Sequence, residues 1–278
     1  MPEPTLYPPP RPLTVSEVLD LSFQIYRRTF VKCLLFGALL VVVNWLPNLY
    51  SVTHGQTVVQ SMVKPVIDSG HVVVLLVTMV LAFLFPLAIL DRQYKLITGR
   101  EAGGELLRAL RLLGRMILVM LLLIGLGMAC GLILIPAFFA RGIARYALFL
   151  LLLLPMAYVY VRMLCAMTVL VVEDAGPVGS LSRSWQLTGG NVLRLSAVYT
   201  VALFLLIVMY IVVGALTGFL YAVIGHGDVA LIAAALGVVW VLVGALASPY
   251  YSALGLAIYG DLLVRKEGAD LSQRISAA

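Results

Sequence analysis

Charge is scarce in this 278-residue chain: Asp, Glu, Lys and Arg together make up 12%, against 62% hydrophobic residues. A water-soluble domain is about a quarter charged and about half apolar. Acidic residues are fewer still, 13 against 19 basic. Cysteine occurs at Cys33, Cys130 and Cys165, without a CxxC pair. That excludes a disulfide framework and a cysteine zinc site, and leaves small apolar packing residues. No basic tail or nucleic-acid motif accompanies the net charge of +6, so nucleic acid is not an expected partner.

What the chain does have is apolar length. Ile117–Ile135 and Ala147–Val161 hold no charged residue. Such runs need lipid, because no water-exposed surface can be built from them. The pattern predicts an all-α, polytopic membrane helical bundle with spans near 31–50, 71–90, 116–137, 146–166, 193–216 and 229–248. Pro47, Pro86, Pro136 and Pro155 fall inside these spans, where neighbouring helices can satisfy the freed backbone groups. Residues 1–13 are proline-rich and read as a disordered arm, 14–266 as the membrane domain, and 267–278 as a short tail. Apolarity begins too late for a typical signal peptide, so the first span is read as retained.

Basic residues give the direction. Arg11, Arg27, Arg28 and Lys32 precede span one. Arg92, Lys95, Arg100, Arg108, Arg111 and Arg115 lie between spans two and three. Arg162, Arg183 and Arg194 surround the fourth-to-fifth connection, and Arg265, Lys266 and Arg274 follow span six. The other side keeps only Lys64, Arg141 and Arg145. The positive-inside rule therefore places both termini in the cytoplasm. Trp45, Tyr50, Phe138, Phe139 and Tyr146 mark the outer ends as an aromatic belt.

A threefold repeat is also legible. Leu19, Ser22, Phe23, Gln24 and Ile25 precede span one. Leu106, Ala109, Leu110, Arg111 and Leu112 precede span three. Leu181, Ser184, Trp185, Gln186 and Leu187 precede span five. The shared form is Leu-x-x-small-large apolar-Gln/Arg-apolar, and it predicts three amphipathic helices in the cytoplasmic membrane interface. The bland alternative is an ordinary extension of each span. Thr14 with Glu17 forms a capping box for the first, and Pro177 suits the first turn of the third. The repeat units run about 14–100, 101–175 and 176–266. Pro155 and Pro249 each precede a glutamate by 18 residues, and Pro86 precedes Glu101 by 15. Gly127/Gly131, Gly214/Gly218 and Gly244/Ser248 are spaced for close helix approach.

Chemistry is sparse. His54, His71 and His226 fall near the outer face with Asp68 and Asp228, but without metal-ligand spacing. No acidic residue falls inside the spans as drawn, which disfavours ion-coupled transport. Arg162 is expected near the inner interface, either snorkelling or binding a lipid phosphate with Tyr158 or Tyr160. Trp185 and Arg183 are the other candidate lipid or partner contacts. Asp261 and Arg265 are spaced as an i,i+4 pair. No catalytic residue, cofactor or metal site is expected. The expected partners are membrane lipids, a second copy of the chain or another membrane protein. Three functions compete: a lipid- or partner-binding scaffold, a channel or transporter for a small or amphipathic solute, and a lipid-modifying metalloenzyme built on the three histidines.

Several words of the sequence resemble one family. They are Glu173-Asp-Ala-Gly176-Pro177, then Arg183-Ser184-Trp185-Gln-Leu187-Thr188-Gly-Gly190-Asn191, then Tyr259-Gly-Asp261-Leu262-Leu-Val264-Arg265-Lys-Glu267-Gly268. With Leu13 to Asp20 and Tyr26-Arg27-Arg28, they are similar to a bacterial inner-membrane family. It includes YciC-like proteins and the membrane domain fused to some glycerophosphodiester phosphodiesterases. The resemblance implies a six-span inner-membrane protein. It implies no activity, since the family itself has no agreed one, and phosphodiesterase activity is not expected because this chain lacks room for the soluble domain that some relatives carry.

Overall fold

The computed structural model describes residues 7–57, 60–61, 67–133, 135, 139, 142–224 and 229–277. Eight helical segments follow one another among these residues. They are α1 (Val15–Thr53), α2 (Ser69–Ile97), α3 (Glu105–Ile133), α4 (Ile143–Met163), α5 (Ala166–Val172), α6 (Pro177–Thr188), α7 (Val192–Ile224) and α8 (Val229–Ala277). Among the described residues, six helices are long and apolar enough to cross a membrane. The protein is an all-α, multi-pass membrane bundle.

Most of the basic residues gather at one end of the bundle, where α1 starts, α2 and α8 finish, and α5 and α6 lie. The core sits in this half. Ile25, Leu87, Ile89, Met116, Leu170, Leu187, Leu254 and Leu262 are fully buried there. The other halves of the spans are bare: Val72 to Val80, Leu121 to Leu132, Phe149 to Leu154 and Leu203 to Val223 expose large apolar side chains. The physical reason is the solvent. Lipid tails are as apolar as leucine, so packing Leu on Leu inside a bilayer gains little. Where helices emerge toward water, each fully buried Leu or Ile is worth roughly 1.5–3 kcal/mol. Helix α8 is the centre, with 61% of an apolar stretch within Leu242–Gly268 buried, and α7 is an edge, with 6% of one within Val192–Phe219 buried.

Local signals hold at several helix starts. The Glu17 amide donates to Thr14 Oγ1 and the Thr14 amide to Glu17 Oε2, completing the capping box. Pro177 begins α6. The interfacial helices differ from expectation. In the first two units the amphipathic segment and its span are one continuous helix, α1 and α3, so the bland alternative holds there. Only the third unit has a separate short helix, α6, because Gly189 and Gly190 break the chain before α7. The repeat still describes the packing. Its small positions Ser22, Ala109 and Ser184 are buried, as are Ile25, Leu112 and Leu187. Phe23, Leu110 and Trp185 are all exposed.

Two boundaries also move. Residues 7–13, expected as part of a disordered arm, lie docked across α8. Tyr7 is buried edge-on to Tyr94 and against Gly260. The sixth helix does not stop near 248 but runs through Pro249 to Ala277, taking in the expected tail. Its neighbours make that run tolerable. Gln93 Nε2 donates to the Pro249 carbonyl at 2.9 Å and to Thr29 Oγ1 at 3.1 Å. Tyr26 donates to the Leu246 carbonyl at 3.2 Å. Proline has no N–H for the Ala245 carbonyl four residues back. That carbonyl meets Gly37 of α1 instead, 3.0 Å from where a Cβ would stand.

Within the described part of one chain, the small-residue pairs do not bring helices close. Among the described residues, Gly127, Gly131, Gly214 and Gly218 have nothing within 4 Å of a notional Cβ, and Gly244 has only the Tyr210 hydroxyl at 3.8 Å. Close helix approach falls on Gly37 and Gly255. Cys33 and Cys165 are buried free thiols, as packing residues would be. The side chain of Cys130, and Pro136, Phe138, His226 and Asp228, lie outside the described residues.

Candidate functional site

The basic end is held by carboxylates that the sequence pattern left outside its spans. Asp91 is buried near the end of α2, with Arg108 Nη1 at 2.6 Å and Lys95 Nζ at 3.0 Å. Asp261 is buried in α8, with Arg194 at 2.5 Å and Arg265 at 3.1 Å. The Leu13 amide donates to Asp261 Oδ1 at 2.7 Å, and both arginines donate to the Leu13 carbonyl. The i,i+4 pair from Asp261 to Arg265 therefore exists, but it is one side of a clamp that fixes the N-terminal arm. Arg194 and Arg108 reach across from other helices, and no local spacing signals them.

Of the four candidate contacts, three come together. Arg162 stands at the end of α4 with its guanidinium 4.1 Å from the Trp185 ring centre and 5.7 Å from that of Tyr158. The two rings meet edge to face at 6.0 Å. The Arg162 backbone carbonyl accepts from Ser184 Oγ at 2.8 Å and Thr188 Oγ1 at 3.2 Å, which locks α6 onto the end of α4. Arg162 is only 7% exposed, so it does not snorkel into open water, whereas Trp185 is 37% and Tyr158 45% exposed. Its Nε has no hydrogen-bond partner, and no acidic side chain pairs with it among the described residues. Gly189 leaves the space its Nη1 uses: a Cβ there would stand 3.0 Å away.

Arg183, the fourth candidate, faces elsewhere. It bridges Glu173 at 3.2 Å and Glu267 at 2.9 Å, the two glutamates that share the 18-residue spacing from a proline. Glu173 also accepts from the Tyr259 hydroxyl at 2.7 Å. Tyr160 lines an apolar cavity of 520 Å³ between α3 and α4 and makes no ring contact with Arg162 among the described residues. Met120, Met156, Met163 and Met167 line much of that cavity, and among the described residues Tyr160 brings its only side-chain hydroxyl.

At the opposite end, His54 stacks on Tyr50 with ring centres 4.1 Å apart, and His71 meets the same ring at 5.7 Å. Asp68 caps α2, accepting from the His71 amide at 2.7 Å and the Tyr50 hydroxyl at 2.9 Å. These donors, the His71 amide foremost, hold its carboxyl below the usual range. No group of three metal-ligating side chains forms among the described residues.

No family model, curated protein or solved structure matches the chain.

Proposed function

We propose that this is an integral protein of a bacterial inner membrane that binds an anionic phospholipid without catalysing a reaction, its basic end in the cytoplasm. The observation that carries this reading is Arg162: a cation 7% exposed, caged by Trp185 and Tyr158, with no acidic partner among the described residues. Aromatic faces return only about 0.5–2 kcal/mol to a guanidinium. An uncompensated buried charge costs several kcal/mol. A lipid phosphate arriving at the edge beside Gly189 supplies the missing charge and bidentate acceptors. The exposed faces of Trp185 and Tyr158 suit the headgroup level, where amphipathic rings collect. The apolar lining of the α3–α4 cavity supports a lipid-facing role over passage of a polar solute. The motif resemblance and the basic asymmetry support the inner membrane and the orientation.

The test is lipid retention by the purified full chain, read by native mass spectrometry in micelles containing phosphatidylglycerol. Arg162→Gln should weaken retention by about 10–100-fold, the value of a charge-assisted contact of about 1.5–3 kcal/mol. Equal retention would sink the reading. Orientation is tested separately. In a cysteine-free background, a cysteine at 58 should label from outside intact cells and one at 278 should not.

A further inference from the structure

A second cavity at the basic end lies beside the Asp91 cluster and shares Lys95 and Arg108 with it. It measures 340 Å³, opens between the end of α2 and the first half of α3, and is mainly polar. Arg108, Arg111 and Arg115 recur at i, i+3 and i+7, so one face of α3 carries all three. Lys95, at the end of α2, joins them in the lining. Two of these cations are spent inward. Arg108 holds Asp91 and the Val171 carbonyl, and Lys95 holds Asp91 and the Gly103 carbonyl. The outer two are not. Arg111 is exposed and makes no ion pair among the described residues. Among the described residues Arg115 pairs only with Asp174, at 2.7 Å, and both members of that pair are exposed. Asp174 holds its place at φ 51°, a left-handed conformation uncommon outside glycine. Beside the arginines, Leu107 forms part of the mouth, and Leu107 and Leu110 expose more than half of their surface. A basic hollow with bare Leu107 in its lining, and bare Leu110 one turn further along α3, fits a ligand that is anionic at one end and greasy at the other.

We propose that this hollow binds the phosphate of an anionic phospholipid headgroup. Arg111 and Arg115 take the phosphate oxygens, Asp174 is the resident carboxylate that the phosphate displaces, and the acyl chains leave past Leu107 and Leu110. The site shares no residue with the Arg162 cage and stands or falls without it.

The experiment uses the full chain in micelles of zwitterionic detergent and phosphatidylcholine, titrated with dioleoyl phosphatidylglycerol and followed by native mass spectrometry. Arg111→Gln should weaken one retained lipid by about fivefold, the effect of about 1 kcal/mol for one interfacial arginine. Asp174→Asn should strengthen the same lipid, a gain that misfolding cannot imitate. Arg162→Gln should leave this lipid in place, and Arg111→Gln should leave any lipid held at Arg162. Unchanged retention in both Arg111→Gln and Asp174→Asn overturns the proposal. So does displacement by sn-glycerol 3-phosphate at concentrations equal to the lipid's, which would make the ligand a soluble phosphate compound.

Discussion

Replacing Asp261 with alanine should unfasten the N-terminal arm and loosen the centre of the bundle. Three partners converge on this carboxylate: Arg194 at 2.5 Å, Arg265 at 3.1 Å and the Leu13 amide at 2.7 Å. Without it, two guanidiniums face each other with only the Leu13 carbonyl between them. Breaking a buried pair by removing one member costs about 3–5 kcal/mol. The side chains of Arg194 and Arg265 keep 20% and 27% exposure, so water recovers part of that. About 2 kcal/mol should remain from the charges. The stranded Leu13 amide adds about 1 kcal/mol. We therefore expect about 3 kcal/mol in total, read by equilibrium unfolding of the full chain in mixed micelles. Hydrogen exchange should rise in the peptide spanning residues 13–18. Adding Arg194→Met to Asp261→Ala should cost less than the two single changes summed, by about 1 kcal/mol or more, because the stranded cation is removed. A cost below about 1 kcal/mol, with exchange at 13–18 unchanged, would refute the clamp.

Two further changes test other joints. Gly37→Ala should destabilise by about 1–3 kcal/mol in the same unfolding assay, because its methyl meets the backbone carbonyl that Pro249 left free; a neutral result would mean α1 and α8 are further apart than described. Asp68 should titrate below the ordinary carboxylate range of about 3.9, measured by carboxyl carbon NMR with Asp68→Asn to identify the signal. Because its folded pKa is the lower one, its contribution to the α2 cap is fully present above the ordinary carboxylate range. That contribution fades as pH falls through the lowered value. An ordinary midpoint would mean that the His71 amide and Tyr50 hydroxyl do not hold it.

Much of the architecture was written in the sequence. Apolar length set the number of spans, because a stretch such as Ile117–Ile135 has no alternative to lipid. The Leu-x-x-small pattern marked Ser22, Ala109 and Ser184, each of which is buried. Thr14, Glu17 and Pro177 fixed helix starts through hydrogen bonds and a backbone angle that act within a few residues. Tyr158 and Arg162, one turn apart on α4, could be paired by spacing alone.

What only the tertiary structure decided is which charges are already spent. Arg162, Arg183 and Arg194 look alike in the sequence, three basic residues near one connection. Arg183 meets Glu267, 84 residues away, Arg194 meets Asp261, 67 away, and the Arg162 guanidinium meets aromatic rings and no carboxylate among the described residues. Partners that far apart are set by how helices pack, and no periodicity along one helix encodes them. The same holds for Pro249: the sequence shows a helix breaker, and Gln93 and Tyr26 from other helices make it a position the helix can pass through. Local hydrogen bonding and solvent choose the elements, and the energy of burying a charge chooses its partner only once those elements have met.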